Sequence, residues 1–259
     1  MPGPDIRNVL SGTEMLAKHF PNRPIIIGTP QQRVLGLGDK AIVYGDEGTW
    51  KSSLVMHTGL VISNGKDWFD INTNPNNVLI VQVEIPPVLY QSRLSKYIRN
   101  SRLDPSGLFI WTETNFKVDS PDSYLKLKAV VAEHNIKLII FDPLYRMATV
   151  NLSSPHDIVP LLDRVDQLID ELNISVMFVN HFIKQDRDRE GHIQGRGADD
   201  MLSSSALGNW ANTIIRINMA EDSDDIQLVF NKSNYTEERL GSIWVHVDRA
   251  TLGFSSNHR

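Results

Sequence analysis

The sequence predicts an α/β fold built on a mostly parallel, twisted sheet with helices on both faces, and three features of its patterning lead there. From Lys40 onward, apolar runs of strand length alternate with stretches of helical period, the rhythm of a wound sheet. The runs at 41–44, 78–83, 108–111, 138–141 and 176–179 are almost continuously apolar, as parallel strands covered on both faces must be. After Asn209 the helical signal fades, and runs at 214–217, 226–230 and 243–247 follow closely. Such spacing predicts antiparallel hairpins at the C-terminal edge of the sheet.

Between the runs lie helices with readable faces. Leu54, Val55, Thr58, Val61 and Ile62 recur at helical steps after Lys51, with Gly65 as the stop. Ser120, Pro121 and Asp122 read as an N-cap followed by proline at the first helical position. Ile158, Leu161, Leu162, Val165, Leu168, Ile169 and Leu172 form one apolar stripe over 155–171. The cluster Lys184 to Glu190, followed by Gly191, Gly195 and Gly197, reads as an exposed mobile loop. Residues 1–40, with Pro21, Pro24 and Pro30, read as an N-terminal arm made of a short helix and an irregular lead-in, and 41–259 as one domain.

Composition narrows the class. A chain of 259 residues that is 41% hydrophobic and 22% charged can bury the core of one large domain. No apolar run long enough to span a membrane and no secretory leader pattern occurs, so a cytoplasmic protein without a membrane partner is expected. The absence of cysteine excludes disulfides and thiolate metal sites. A formal charge of −5 argues against indiscriminate nucleic-acid binding and leaves a local basic surface open.

The most informative segment follows the first core run. Gly45-Asp46-Glu47-Gly48-Thr49-Trp50-Lys51-Ser52-Ser53 lies between a strand and a helix. That order lets consecutive N–H groups and a helix N-terminus surround phosphates, with Lys51 reaching their oxygens and the Ser52 hydroxyl placed for magnesium. The expected ligand set is therefore Gly45, Glu47, Gly48, Thr49, Trp50, Lys51, Ser52 and Ser53, and the expected ligands are ATP and Mg2+. Trp50 departs from the usual loop, which has glycine before the lysine because the backbone must turn closely there. Trp50 implies a modified loop path, weakened ATP binding, simple packing, or a cover over the nucleotide.

Two carboxylates end core runs. Asp142 closes the run 138–141 and Glu84 follows 78–83, both on the edge where open α/β sheets bind ligands. There Asp142 would support magnesium, and Glu84 would polarise the water that attacks the γ-phosphate. A cap after a core strand for Asp142, and a helix-opening residue for Glu84, are the alternatives. Asn180 and His181 end the run 176–179 and would sense the γ-phosphate.

With these residues in order, the sequence resembles a known family. GDEGTWKSS (45–53), QVEIPP (82–87), IIFDP (139–143), VNHF (179–182), GRGADDMLSSSAL (195–207) and NKSNY (231–235) together are similar to the RecA-like P-loop ATPases of the hexameric replicative helicase group. The likeness is greatest to the plasmid RepA helicase branch, with DnaB helicases and KaiC-type ATPases more distant. The resemblance implies a catalytic role for Glu84, magnesium support from Asp142 and Ser52, and γ-phosphate sensing by His181. It also implies cations offered to a neighbouring subunit by Arg196 and Lys232, for which solvated surface charge is the alternative. A homo-oligomer, expected as a hexameric ring on single-stranded DNA, follows from the same likeness. A recombination mediator or regulatory switch without unwinding, and a nucleotide-binding assembly module with little turnover, remain alternative functions.

Overall fold

The computed structural model describes residues 9–181, 205–221 and 223–257, with His181 described by its backbone alone. Among the described residues, eleven strands and seven α-helices follow in chain order: α1 Gly12–Ala17, β1 Ile25–Gly28, β2 Arg33–Gly36, β3 Lys40–Gly45, α2 Lys51–Ser63, β4 Asn77–Gln82, α3 Pro87–Ser101, β5 Leu108–Trp111, α4 Pro121–Glu133, β6 Ile136–Asp142, α5 Leu144–Met147, α6 Pro155–Leu172, β7 Ser175–His181, α7 Ser205–Trp210, β8 Thr213–Met219, β9 Ile226–Ser233, β10 Ile243–Asp248 and β11 Gly253–Ser256.

Nine of the strands form one sheet in the order β11-β10-β9-β8-β3-β7-β6-β4-β5. β3 runs parallel to β7 and β8, and β4 runs parallel to β5 and β6. The run 214–217 pairs antiparallel with β9, as expected of an edge hairpin, while its other side runs parallel to β3. β10 and β11 complete the antiparallel edge.

Strand side chains alternate between two cores, which is why the runs read as continuously apolar. Ala41, Val43, Val78, Ile80, Leu138, Ile140, Met177 and Val179 enter one cluster, which also holds the apolar faces of α2 and α3. Ile42, Tyr44, Leu79, Val81, Ile139, Phe141, Val176 and Phe178 enter the other, beneath α4, α6 and α7. α6 matches its predicted stripe, with Ile158, Leu161, Leu162, Val165, Leu168 and Ile169 buried. α2 does not: Leu54 through Ile62 are buried on every face, so the helix after the loop is a central element rather than a surface one. Ser120 occupies the N-cap of α4, but its hydroxyl makes no capping bond among the described residues.

The lead-in is also more ordered than its prolines suggest. Residues 25–36 pair as an antiparallel hairpin, β1 with β2, and Ile26, Ile27, Val34 and Leu35 are buried in the same cluster as α2. Ser175 Oγ donates to Gly36 O at 2.7 Å and Thr213 Oγ1 to Val34 O at 2.7 Å, tying the hairpin to the starts of β7 and β8. The short helix α1 forms as expected, with the reciprocal Ser11–Glu14 capping box. Among the described residues, no helix is long and apolar enough to cross a membrane.

Candidate functional site

Four neighbouring parallel strands, β3, β7, β6 and β4, bring their carboxyl ends together. Register places Gly45 beside His181, and Gln82 beside Asp142. The sequence-predicted residues Gly45, Glu84, Asp142 and His181 therefore share one edge of the sheet, the edge at which wound sheets hold ligands.

The loop after β3 is shaped by two glycines and one tryptophan. A Cβ on Gly45 would lie 2.9 Å from both Ile217 O and Thr49 Oγ1, so the packed β8 backbone admits only glycine there. Gly48 has φ of +81° with open space around it. Trp50 has φ 64° and ψ 14°, the left-handed region, at the N-cap of α2. The loop thus follows the path glycine would allow, but with a side chain that must be held in place. It is held: the half-buried indole packs against the core, and the Arg249 guanidinium lies 5.7 Å from its ring centroid.

Lys51 is buried, and its ammonium donates to Gly45 O at 2.9 Å, Asp46 O at 2.5 Å and Thr49 Oγ1 at 3.3 Å. Burial pushes its pKa down, opposed chiefly by the charge of Asp142 and also by Asp46, Glu47 and Glu84. Asp142 is 4% exposed. Burial pushes its pKa up to about 6, against the Ser52 hydroxyl hydrogen bond and the positive charges of Lys51 and Arg93. The Ser52 hydroxyl thus bonds Asp142, and the Lys51 charge acts on the same carboxylate, at the N-terminus of α2. Gly48, Thr49, Trp50, Lys51, Ser52 and Ser53 line a cleft of about 320 Å3 together with Arg93 and Leu252. Gly45 lies beneath the loop, and Glu47 stands exposed on its crest.

Glu84 lies outside the following helix, two residues before the Pro86 N-cap of α3. The turn that presents it is braced by buried Gln82, whose Nε2 donates to Ile85 O at 2.6 Å and whose Oε1 accepts from Ile85 N at 2.8 Å. Its carboxylate accepts a hydrogen bond from Tyr145 Oη and lies 3.9 Å from Arg146 Nε.

Lys232 is placed apart from this cleft. Its ammonium donates to Gly208 O at 3.0 Å and Asn209 O at 3.1 Å, capping the carbonyl end of α7. Arg196 and the charged stretch from Lys184 to Ala198 lie outside the described residues.

Three groups at the cleft escape the motif reading: Arg93, Tyr145 and Leu252. Arg93 is exposed on α3, and no local pattern sets it apart from other cations on a helix surface. Leu252 arrives on the turn between β10 and β11, far along the chain, and no local pattern marks it.

The donor set fits a nucleoside triphosphate with magnesium. A glycine-lined turn at a helix N-terminus and a buried lysine suit phosphate oxygens. Among the described residues no group of three metal-ligating side chains occurs, and magnesium in such sites needs only one or two protein oxygens beside the phosphates.

A family profile described as an AAA domain matches residues 19–187. The chain belongs to the AAA domain family. This AAA domain has the RecA-like P-loop ATPase fold. It superposes on the RadB recombinase with a TM-score of 0.59 at 18% identity, covering 86% of this chain and 92% of that one. A DnaB-like replicative helicase, solved with attention to its interactions with primase, gives 0.64 at 12% identity, with 84% of this chain and 57% of that one covered. On a KaiC-like protein of the hyperthermophilic archaeon Pyrococcus horikoshii the TM-score is 0.58 at 11% identity, covering 86% of this chain and 91% of that one. No curated protein matches the sequence.

Proposed function

We propose that this AAA domain hydrolyses ATP in the cleft between the 45–50 loop and the ends of β4 and β6, as a ring-forming motor on single-stranded DNA. The observation that carries the ATPase reading is the convergence at the start of α2: buried Lys51, Ser52 on Asp142, and Glu84 just beyond the end of β4. The backbone N–H groups of the loop and the Lys51 ammonium bind the β- and γ-phosphates. Ser52 and Asp142 would hold magnesium, which would supply charge neutralisation at the phosphates. Arg93, lining the same cleft, adds a positive charge from within the chain.

Glu84 orients a water against the γ-phosphorus. As the new P–O bond forms, the bond from phosphorus to the ADP oxygen breaks, and the water's proton passes to the Glu84 carboxylate. His181, at the end of β7 beside Gly45, senses the γ-phosphate. Arg196 supplies a trans-acting cation to a neighbouring copy; Lys232 joins it only if the α7 carbonyls release its ammonium.

The motor reading rests on the ordered motifs and their likeness to the plasmid RepA helicase branch, supported by a fold shared with a DnaB-like replicative helicase. The second reading, a recombination mediator or switch of the same fold, is favoured by the charge of 184–198. There Lys184, Arg187, Arg189 and Arg196 only just outnumber Asp186, Asp188 and Glu190. Steady-state ATP hydrolysis with and without single-stranded DNA separates the readings, with Lys51→Ala as the control that loses nucleotide binding. Strong stimulation by the strand supports the motor, strand-independent turnover supports the switch, and undiminished turnover in Lys51→Ala contradicts the site.

A further inference from the structure

Tyr90 carries a buried hydroxyl that has no hydrogen-bond partner among the described residues. The residue is 4% exposed and belongs to the cluster that holds α2 and α3. An unpaired polar atom at such depth costs stability, and a native chain that keeps one commonly uses it on a water, an ion or a reacting group.

Its place on α3 points to the cleft. α2 and α3 both start beyond strand ends that form the cleft, and buried His57 and Tyr97 hold them side by side, with His57 Nδ1 2.5 Å from Tyr97 Oη. One helical turn nearer the cleft on each helix come Ser53 and Arg93, and both line it. Tyr90, the other buried residue of α3, lies seven positions before Tyr97 and so shares its face. That register brings Tyr90 level with the start of α2, where Ser52 bonds Asp142. The Asp142 carboxylate acts on it: burial first and that charge second push the ionisation of the phenol up, against the pull of Arg93. The hydroxyl therefore keeps its proton and can both donate and accept.

We propose that Tyr90 is a positioning residue for the metal, its hydroxyl holding a magnesium-bound water against the Asp142 carboxylate. The proposal deepens the ATPase reading above and rests on it. Magnesium at nucleotide sites takes one or two protein oxygens and keeps several waters, and the groups that orient its ligands set its affinity. Asp142 accepts from Ser52 and has lone pairs left for a further donor. Phenylalanine would fill the same space in the core and leave nothing unpaired, so the hydroxyl is the part of Tyr90 that packing does not explain.

The test titrates a β,γ-imido ATP analogue into wild type and Tyr90→Phe by calorimetry, in EDTA and across a series of magnesium concentrations. In EDTA the two proteins should bind the analogue within about twofold of each other. The magnesium concentration that half-saturates the complex should be roughly tenfold higher in Tyr90→Phe, the low end for loss of a group that orients a metal's ligands. Thermal denaturation without nucleotide or metal should move the other way, with the Tyr90→Phe midpoint above that of wild type. Tyr97→Phe is the control, because it removes an equally buried hydroxyl that does have a partner. It should lower the midpoint and leave the magnesium requirement unchanged.

An unchanged magnesium requirement in Tyr90→Phe overturns the proposal. So does a midpoint below that of wild type, which would mean that the hydroxyl is already paired in the nucleotide-free protein. An equal shift of the magnesium requirement in Tyr97→Phe also overturns it, since the effect would then be one of helix packing. In each of these cases a wild type that binds the analogue more tightly with magnesium leaves the ATPase site standing. If wild-type affinity is the same in EDTA and in magnesium, the assignment of Ser52 and Asp142 to the metal has itself failed, and the proposal falls with it.

Discussion

Trp50 and Asp142 show how single residues at this cleft carry strain that the surrounding fold must hold. A tryptophan with φ 64° is disfavoured by roughly 1–2 kcal/mol relative to glycine in the same conformation. Its indole offsets this through core packing and the Arg249 guanidinium. Asp142 carries electrostatic strain instead. Its folded pKa of about 6 exceeds the 3.8 of an unperturbed aspartate. Between those values the folded chain therefore binds more protons than the unfolded one, so stability falls as pH rises through the window and stays lower above it. At about 1.36 kcal/mol per pKa unit, the penalty for keeping Asp142 ionised approaches roughly 3 kcal/mol. Asp142→Asn keeps an acceptor for Ser52 and removes the charge. Denaturation of the nucleotide-free protein should show the variant and wild type nearly equal at the acid end and the variant more stable above pH 6. Wild type the more stable of the two at neutral pH would contradict the assignment.

At the scale of elements, what was legible in the sequence is what depends on local periodicity. The eight predicted core runs all appear as strands, and the Asp142 strand end falls where its apolar run stops, because period and burial act over five to seven residues. The β1–β2 hairpin was not legible, since two four-residue strands among Pro24 and Pro30 carry too short a pattern and owe their order to contacts far along the chain. The full burial of α2 was hidden for the same reason: its outer side is covered by non-local segments, such as β11, whose Phe254 ring lies 5.2 Å from that of His57. Leu252 reaches the site by folding alone. If β1 belongs to the core of the ATPase domain, Ile27→Ala should cost about 2–5 kcal/mol in chemical denaturation, the range for buried large-to-small changes. A loss below about 1 kcal/mol would mean that residues 25–36 are a dispensable arm.

For the molecule as a whole, the catalytic unit we propose is a pair of neighbouring copies. In related phosphoryl-transfer sites a trans-acting arginine is worth about 10³ to 10⁵ in rate. Arg196→Ala should then bind ATP and assemble while turning over poorly. Mixed with Lys51→Ala protein it should regain activity, because each variant supplies the group its neighbour lacks. Absence of recovery in mixtures whose co-assembly is verified by native mass measurement would assign the charge-neutralising role to groups within one chain, Arg93 first among them.

The central claim is that this cleft hydrolyses ATP with Glu84 as the base, and one pair of measurements on Glu84→Gln addresses it: nucleotide affinity by calorimetry and turnover under saturating Mg-ATP. The account predicts affinity close to that of wild type with hydrolysis reduced at least ~100-fold, the low end for loss of a general base. Wild-type turnover in Glu84→Gln would contradict it.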